Sequence, residues 1–233
     1  GCIVTSEDAY INSVRVGRGA GCVSGNTVVG DTALGSNTTG TGNSAFGHCS
    51  LCANTTGNYN TAVGKIALCA NTTGSNNVAV GYSALFVNKA GNNTAVGFYS
   101  SRANNTGTNN SSLGFCSLRD NTTGANNTAL GGHALANNTI GNSNTALGRN
   151  TLSTNTTGDS STAVGVNALQ LNTTGDSNTA VGVNSLQSNT IGSCNVAVGN
   201  KALLSNTTGN YNVAVGACSL CKNTIGACNT AVG

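Results

Sequence analysis

The sequence predicts an all-β protein, a parallel β-solenoid (β-helix or β-roll) of about 13 turns with 17 residues per turn. Three observations carry that prediction. A glycine closes an A-V-G-like stretch at Gly30, Gly47, Gly64, Gly81, Gly97, Gly114, Gly131, Gly148, Gly165, Gly182, Gly199, Gly216 and Gly233, with a step of 17 everywhere except one of 16 between Gly81 and Gly97. Such strict self-similarity marks a repeat in which each copy is one turn that buries its apolar side only by stacking on its neighbours. The composition excludes a helical bundle and a solvated disordered chain: Gly, Asn and Thr dominate, charged residues make up 6%, and Pro, Met and Trp are missing. Finally, 17 residues with two glycines, β-branched Thr and Val, and short apolar runs are too few for a strand plus a helix. They suit two or three short strands joined by tight turns.

Residues 1–25 precede the first copy and are expected to form an N-terminal cap or an irregular first turn; 26–233 are the solenoid domain. The consensus is N-T-A-V-G-x-x-A-L-x-x-N-T-T-G-x-x, numbered below as positions 1 to 17. Stacked at about 4.8 Å, the turns would make a rod on the order of 60 Å long. Position 4 is Val, Leu or Phe (Val63, Leu130, Phe46), position 9 is Leu in all but one copy (Leu68, Leu135, Leu186), and position 14 is Thr or Ile with one Ala (Thr73, Ile140, Ile225, Ala90). These three files are the expected core. Strand alternation puts position 2 (Thr61, Val78, Val196, Ser44) on the same side as position 4, and positions 3 and 8 stay small, as a narrow coil requires. No charged residue falls on a proposed core file. An uncovered terminal ladder is a template for another chain, so end-to-end association or a cap is expected.

Position 12 is Asn in every copy: Asn37, Asn54, Asn71, Asn88, Asn104, Asn121, Asn138, Asn155, Asn172, Asn189, Asn206 and Asn223. Eight of the 12 read N-x-T, the N-glycosylation acceptor pattern. In the other four, Ala90, Ile140, Ile191 or Ile225 replaces the Thr, yet the Asn stays. That favours an asparagine ladder, in which each side chain bonds its own turn and the next Asn in the stack. Position 1 behaves likewise (Asn60, Asn77, Asn93, Asn127), with Ser161 as the exception.

The net charge of +3 is scattered, without the clustered Lys and Arg that phosphate binding needs, so no nucleic-acid partner is expected. No apolar run approaches the roughly 18 residues of a membrane span. Beginning at Gly1 and ending at Gly233 inside a repeat, the chain reads as a processed or excerpted piece. Ten cysteines point to an oxidising setting. Cys49-Cys52 and Cys218-Cys221 each make C-x-x-C, but ten turns, roughly 48 Å, separate them and exclude a shared zinc ion. Cys52 and Cys69 occupy position 10 of adjacent turns, where stacked Cα atoms lie about 4.8 Å apart, and are the candidate axial disulfide. Cys2 with Cys22, and Cys218 with Cys221 or Cys228, are secondary candidates.

His48 and His133 lie five turns apart and read as surface residues. Asp159 and Asp176 stack at position 16 as a solvated pair. With no cluster of titratable groups within hydrogen-bond reach, the sequence shows no enzyme, no catalytic or metal-ligating set and no cofactor. Tyr82, Phe98 and Phe115 occupy position 6 of three consecutive turns and Tyr99 follows at position 7. They form a candidate contact strip for a lateral neighbour or a glycan.

The motif N-T-A-V-G-x-x-A-L-x-x-N-T-T-G resembles the repeats of phage and giant-virus tail-fibre-like proteins, over residues 26–233. More distantly it resembles the S-V-A-I-G repeats in heads of trimeric autotransporter adhesins. The resemblance implies an extracellular, virion or cell-surface fibre, often a homotrimer, that projects or adheres. The leading expectation is therefore a structural β-solenoid rod that self-associates into a filament or homo-oligomer by end-to-end and lateral contacts. An adhesin reading surface glycans along one face is the alternative. Ice binding is a further one, resting on Thr at position 13 in ten of 12 turns, a file interrupted by Lys89 and Asn105.

Overall fold

A computed structural model describes residues 8–233 and shows a β-solenoid. Cys2, the candidate partner of Cys22, lies outside the described residues. A single sheet of 15 strands runs in sequence order along the rod. The first two, β1 (Ala9–Ile11) and β2 (Val14–Gly17), are antiparallel to each other, and β2 is antiparallel to β3 (Thr27–Val29). From β3 to β15 (Thr230–Val232) each strand pairs in parallel with the next, like position on like position: Thr61 with Val78, Ala62 with Ala79, Val63 with Val80. The β1–β2 hairpin thus lies along the free edge of β3. Asp8 holds it, accepting from the amides of Arg18 (2.5 Å) and Gly19 (2.8 Å) and pairing with Arg15 Nε at 2.8 Å.

The strands face the opposite way from expectation. Position 3 is inside and positions 2 and 4 are outside: Ala62 is fully buried, whereas Val63 is 38% exposed. The inward asparagine of position 1 fixes this parity. Asn60 is buried, so alternation carries Ala62 inward with it and turns Thr61 and Val63 out. Position 14 is likewise not core; Ile140 is 49% exposed. At that corner the buried Asn of position 12 already fills the interior. The space left inside one turn holds two alanines, one leucine and two asparagines (Ala62, Ala67, Leu68, Asn60, Asn71).

Leucine alone of the three expected apolar files is inside as predicted. Each Leu of position 9 sits in the left-handed region, Leu68 with φ 50° among them, and so does position 7 (Ile66, φ 55°). That conformation costs roughly 1–2 kcal/mol per residue. Complete burial of a leucine side chain contributes about 1.5–3 kcal/mol and offsets it. At two corners only glycine fits: a Cβ on Gly64 (φ 129°) would lie 2.6 Å from Gly81 O, and one on Gly57 would lie 2.5 Å from Asn54 Oδ1.

The core is not continuous. One apolar cluster runs from Val28 to Ala95 and a second from Leu118 to Ala214. Between them Ser101 stands where Leu belongs, and Ser100, Ser112 and Ser117 stand where Ala belongs. The four hydroxyls satisfy one another: Ser100 shares hydrogen bonds with Ser112 (2.6 Å) and Ser117 (3.0 Å), and Ser101 shares one with Ser112 (2.8 Å).

Candidate functional site

Turning positions 2 and 4 outward creates a long uncharged face along the sheet. From β3 to β15, one file of Thr, Ser or Val (Thr61, Val78, Thr94) runs beside one of Val, Leu or Phe (Val63, Val80, Val96), with no charged residue in either. Val78, Leu113, Leu130, Val181 and Val215 are among its large exposed apolar side chains. A dent of about 150 Å³ opens between Thr94, Ser111, Leu113, Thr128 and Leu130, where the side chains are least even. Sequence reasoning missed this face, although the smallness of position 3 in every copy but that of Val28 was its signal.

The asparagine ladder is present along its whole predicted length. Each Nδ2 of position 12 donates to Oδ1 of the Asn one turn earlier, in eleven successive links from Asn54–Asn37 (3.0 Å) to Asn223–Asn206 (3.0 Å), the longest being Asn88–Asn71 at 3.4 Å. The same amide donates to the corner carbonyl of its own turn, as Asn138 does to Gly141 O at 2.9 Å. Both amide protons are therefore committed inside the rod, and Asn54, Asn71, Asn121 and Asn172 are fully buried, out of reach of a glycosyl donor. Position 1 works differently. Its Oδ1 accepts the backbone amide of the next turn (Asn60 N to Asn43 Oδ1, 2.9 Å) and its Nδ2 reaches the next corner carbonyl (Asn60 to Gly74 O, 2.9 Å). Ser161 keeps this role with its hydroxyl, accepting from Asn178 N at 3.2 Å.

Two more files turn out to be scaffold. The Thr hydroxyls of position 13 donate to the backbone carbonyl one turn on (Thr122 to Thr139 O, 2.9 Å; Thr156 to Thr173 O, 3.0 Å), which commits their protons to the coil. At position 16 a side-chain oxygen accepts the backbone amide of the preceding turn. Asn142 N donates to Asp159 Oδ1 (2.6 Å), Asp159 N to Asp176 Oδ1 (2.7 Å) and Asp176 N to Ser193 Oγ (3.0 Å). Asp159 and Asp176 are thus built into the ladder.

In the aromatic strip, Tyr82 stacks on Phe98 (5.3 Å, 17°) and Phe98 on Phe115 (5.5 Å, 9°), while Tyr99 lies 4.1 Å from Phe98 and Arg102 covers Tyr99 at 5.1 Å. The ring faces are spent on one another, so the strip presents mainly edges to solvent. His133 meets Phe115 edge-on at 5.3 Å, and His48 lies 3.7 Å from Asp31 of the turn before. A cleft of about 280 Å³ beside Arg119, His133 and Asn137 is open. Arg119 is held charged there chiefly by its hydrogen bonds to Asp120. Among the described residues no three His, Cys, Asp or Glu side chains converge on a metal position, and no helix is long and apolar enough to cross a membrane.

The expected axial disulfide between Cys52 and Cys69 is not formed; both are thiols. Cys49, three residues before Cys52 around the corner, lies with its Sγ 3.0 Å from Thr32 Oγ1 of the turn before. Burial, with the neighbouring thiols Cys52 and Cys49 behind it, pushes Cys69 up to about 11, and burial followed by Cys49 also raises Cys52. Cys218 is raised first by its hydrogen bond to Cys221. Comparison with protein-family models, with curated proteins and with solved structures returns no match to this chain.

Proposed function

We propose that this protein is a structural rod of an extracellular or virion-surface fibre, and that its copies associate laterally through the outward Thr/Val faces of their sheets. The observation that carries the reading is the uncharged two-file face from β3 to β15. At about 4.8 Å per strand it is on the order of 60 Å long and roughly 10 Å wide, or about 600 Å² per copy. That is at the upper limit of the apolar patch a monomer leaves bare and near one partner's share of a standard interface. The occupant that fits is a second copy of the same chain. Only a ladder of identical pitch keeps its rungs in step over all thirteen strands, and two uncharged faces meet without repulsion. Association of three such faces around an axis would give the trimer that the repeat resemblance implies.

Other readings find less support. Ice binding loses its position 13 file to the backbone, and on the sheet face Phe46, Leu113 and Leu130 break the even height that a flat lattice match needs. A glycan strip at Tyr82, Phe98, Tyr99 and Phe115 would need open ring faces, which are stacked.

Sedimentation equilibrium decides the question. The wild-type chain is expected as a dimer or trimer, and Val63→Lys/Val164→Lys/Val215→Lys as a monomer with unchanged strand circular dichroism. A wild-type monomer at all concentrations, or an oligomer indifferent to these three charges, overturns lateral association through this face. Thermal hysteresis in that monomer would favour ice instead.

A further inference from the structure

The two C-x-x-C segments are the same tetrapeptide, Cys49-Ser50-Leu51-Cys52 and Cys218-Ser219-Leu220-Cys221, at positions 7 to 10 of two turns that lie ten turns apart. In both, the first Cys has left-handed backbone (φ 55° at Cys49, 60° at Cys218). At Cys218–Cys221 the corner is a β-turn closed by Cys221 N donating to Cys218 O at 3.1 Å, as Gln170 N does to Asn167 O and Leu204 N to Lys201 O at 3.3 Å, and Cys49–Cys52 occupies the same turn position. Such a turn holds its outer Cα atoms within about 7 Å, the range that a disulfide spans. Cysteines at positions 7 and 10 therefore flank one tight turn in both segments, and the thiol of Cys49 itself lies against Thr32 Oγ1 of the turn before at 3.0 Å. The residues between are anchored: Leu51 is fully buried, Ser50 Oγ donates to Gly47 O at 2.9 Å, and Ser219 Oγ to Ala231 O at 3.1 Å. None of the four cysteines is sealed in the core.

From this geometry we infer that Cys49–Cys52 and Cys218–Cys221 are two dithiol–disulfide pairs, each oxidised within its own turn by a small-molecule disulfide of the glutathione type. One cysteine attacks the oxidant as thiolate, forming a mixed disulfide and expelling a thiolate. Its neighbour then attacks the protein sulfur, forming the intraturn S–S bond and releasing the second thiolate. Two cysteine thiols lose two electrons and two protons, and the oxidant's disulfide becomes two thiols. Closing so short a loop removes little freedom from the unfolded chain, so these bonds respond to the surroundings more than they staple the fold. Cys69 has no such partner, because position 7 of its own turn is Ile66. The inference is independent of whether the sheet faces associate.

The full chain is incubated with oxidised glutathione, quenched in acid, unfolded, alkylated and cleaved after leucine, which cuts between the cysteines of both pairs. The expected products are peptides joined through Cys49–Cys52 and Cys218–Cys221, with Cys69 alkylated, and the same pairs in Cys69→Ser. In Cys49→Ser, Cys52 is expected as a glutathione adduct or alkylated. A dominant Cys52–Cys69 link, or adducts without intraturn bonds in the wild-type chain, overturns the inference. Strand circular dichroism confirms that each variant is folded before it is scored.

Discussion

The turns from Leu118 to Ala214 and those around Ser101 share a backbone but keep it in place by different means. In the first stretch every turn buries a leucine, beside an alanine or, at Ser117, Thr151 and Ser185, a small hydroxyl residue, and the core is one unbroken apolar cluster. Around Ser101 the interior is four mutually bonded serines, the corner at Lys89–Gly91 is one residue short, and stacked aromatics appear on the outside at Tyr82, Phe98 and Phe115. The asparagine ladder crosses the short corner intact: Ala90 O accepts from both Asn77 and Asn88 (2.9 and 2.7 Å), as a corner glycine carbonyl does elsewhere. Backbone and asparagine ladders therefore define the coil. The apolar file is a replaceable filling whose loss can be balanced by polar satisfaction inside and ring stacking outside.

The sharpest way to break this comparison is to copy the serine into the regular stretch. Leu135→Ser removes a fully buried side chain and leaves a hydroxyl among Ala129, Ala134 and Ala146 with no serine partners. A loss of about 3–5 kcal/mol is expected, from the cavity together with the unpaired hydroxyl. A shift in the urea midpoint of strand circular dichroism measures it. The reverse exchange, Ser100→Ala/Ser101→Leu/Ser112→Ala/Ser117→Ala, should join the two apolar clusters and stabilise the rod by about 2 kcal/mol. It adds one buried leucine and replaces the bonded hydroxyls together, which is nearly neutral. If Leu135→Ser is tolerated as well as Ser101 is, the serine network has no role in accommodating the break.

The period, the leucine file and the position 12 asparagines could all be read from the sequence, because each is a single residue type that a stacked position either keeps or loses. Parity could not be read from apolarity alone, since Val63 looks more like core than Ala62 does. The clue was chemical: an asparagine at position 1 with ladder partners must face inward, and alternation then drags Ala62 in. Ile140 and Ile225 misled in the same way, being apolar replacements for an exposed Thr. Position 16 held a clearer signal, as Asn142, Asp159, Asp176 and Ser193 share only the ability to accept a proton from a backbone amide. For Cys52 and Cys69 the Cα spacing was a sound argument, but proximity of backbone alone does not form the bond, and both remain thiols.

The smallest expected effect tests whether the outer rings compensate for the serine-filled interior. Phe98 and Val183 both occupy position 6 and are nearly equally exposed, at 42% and 43%, so truncating each to alanine uncovers the outside of the two stretches alike. Phe98 stacks against rings above and below, each contact contributing about 0.5–1.5 kcal/mol, so Phe98→Ala should cost about 1–2 kcal/mol. Val183→Ala has no ring partner and should stay within about 0.5 kcal/mol. Hydrogen exchange locates the difference: Phe98→Ala is expected to speed exchange at the amides of β7 (Thr94–Val96) and β8 (Ser111–Leu113), which flank the serine cluster, and to leave β12 (Thr179–Val181) unchanged. Equal costs at the two positions, with no local exchange response, would make the aromatic file incidental to stability.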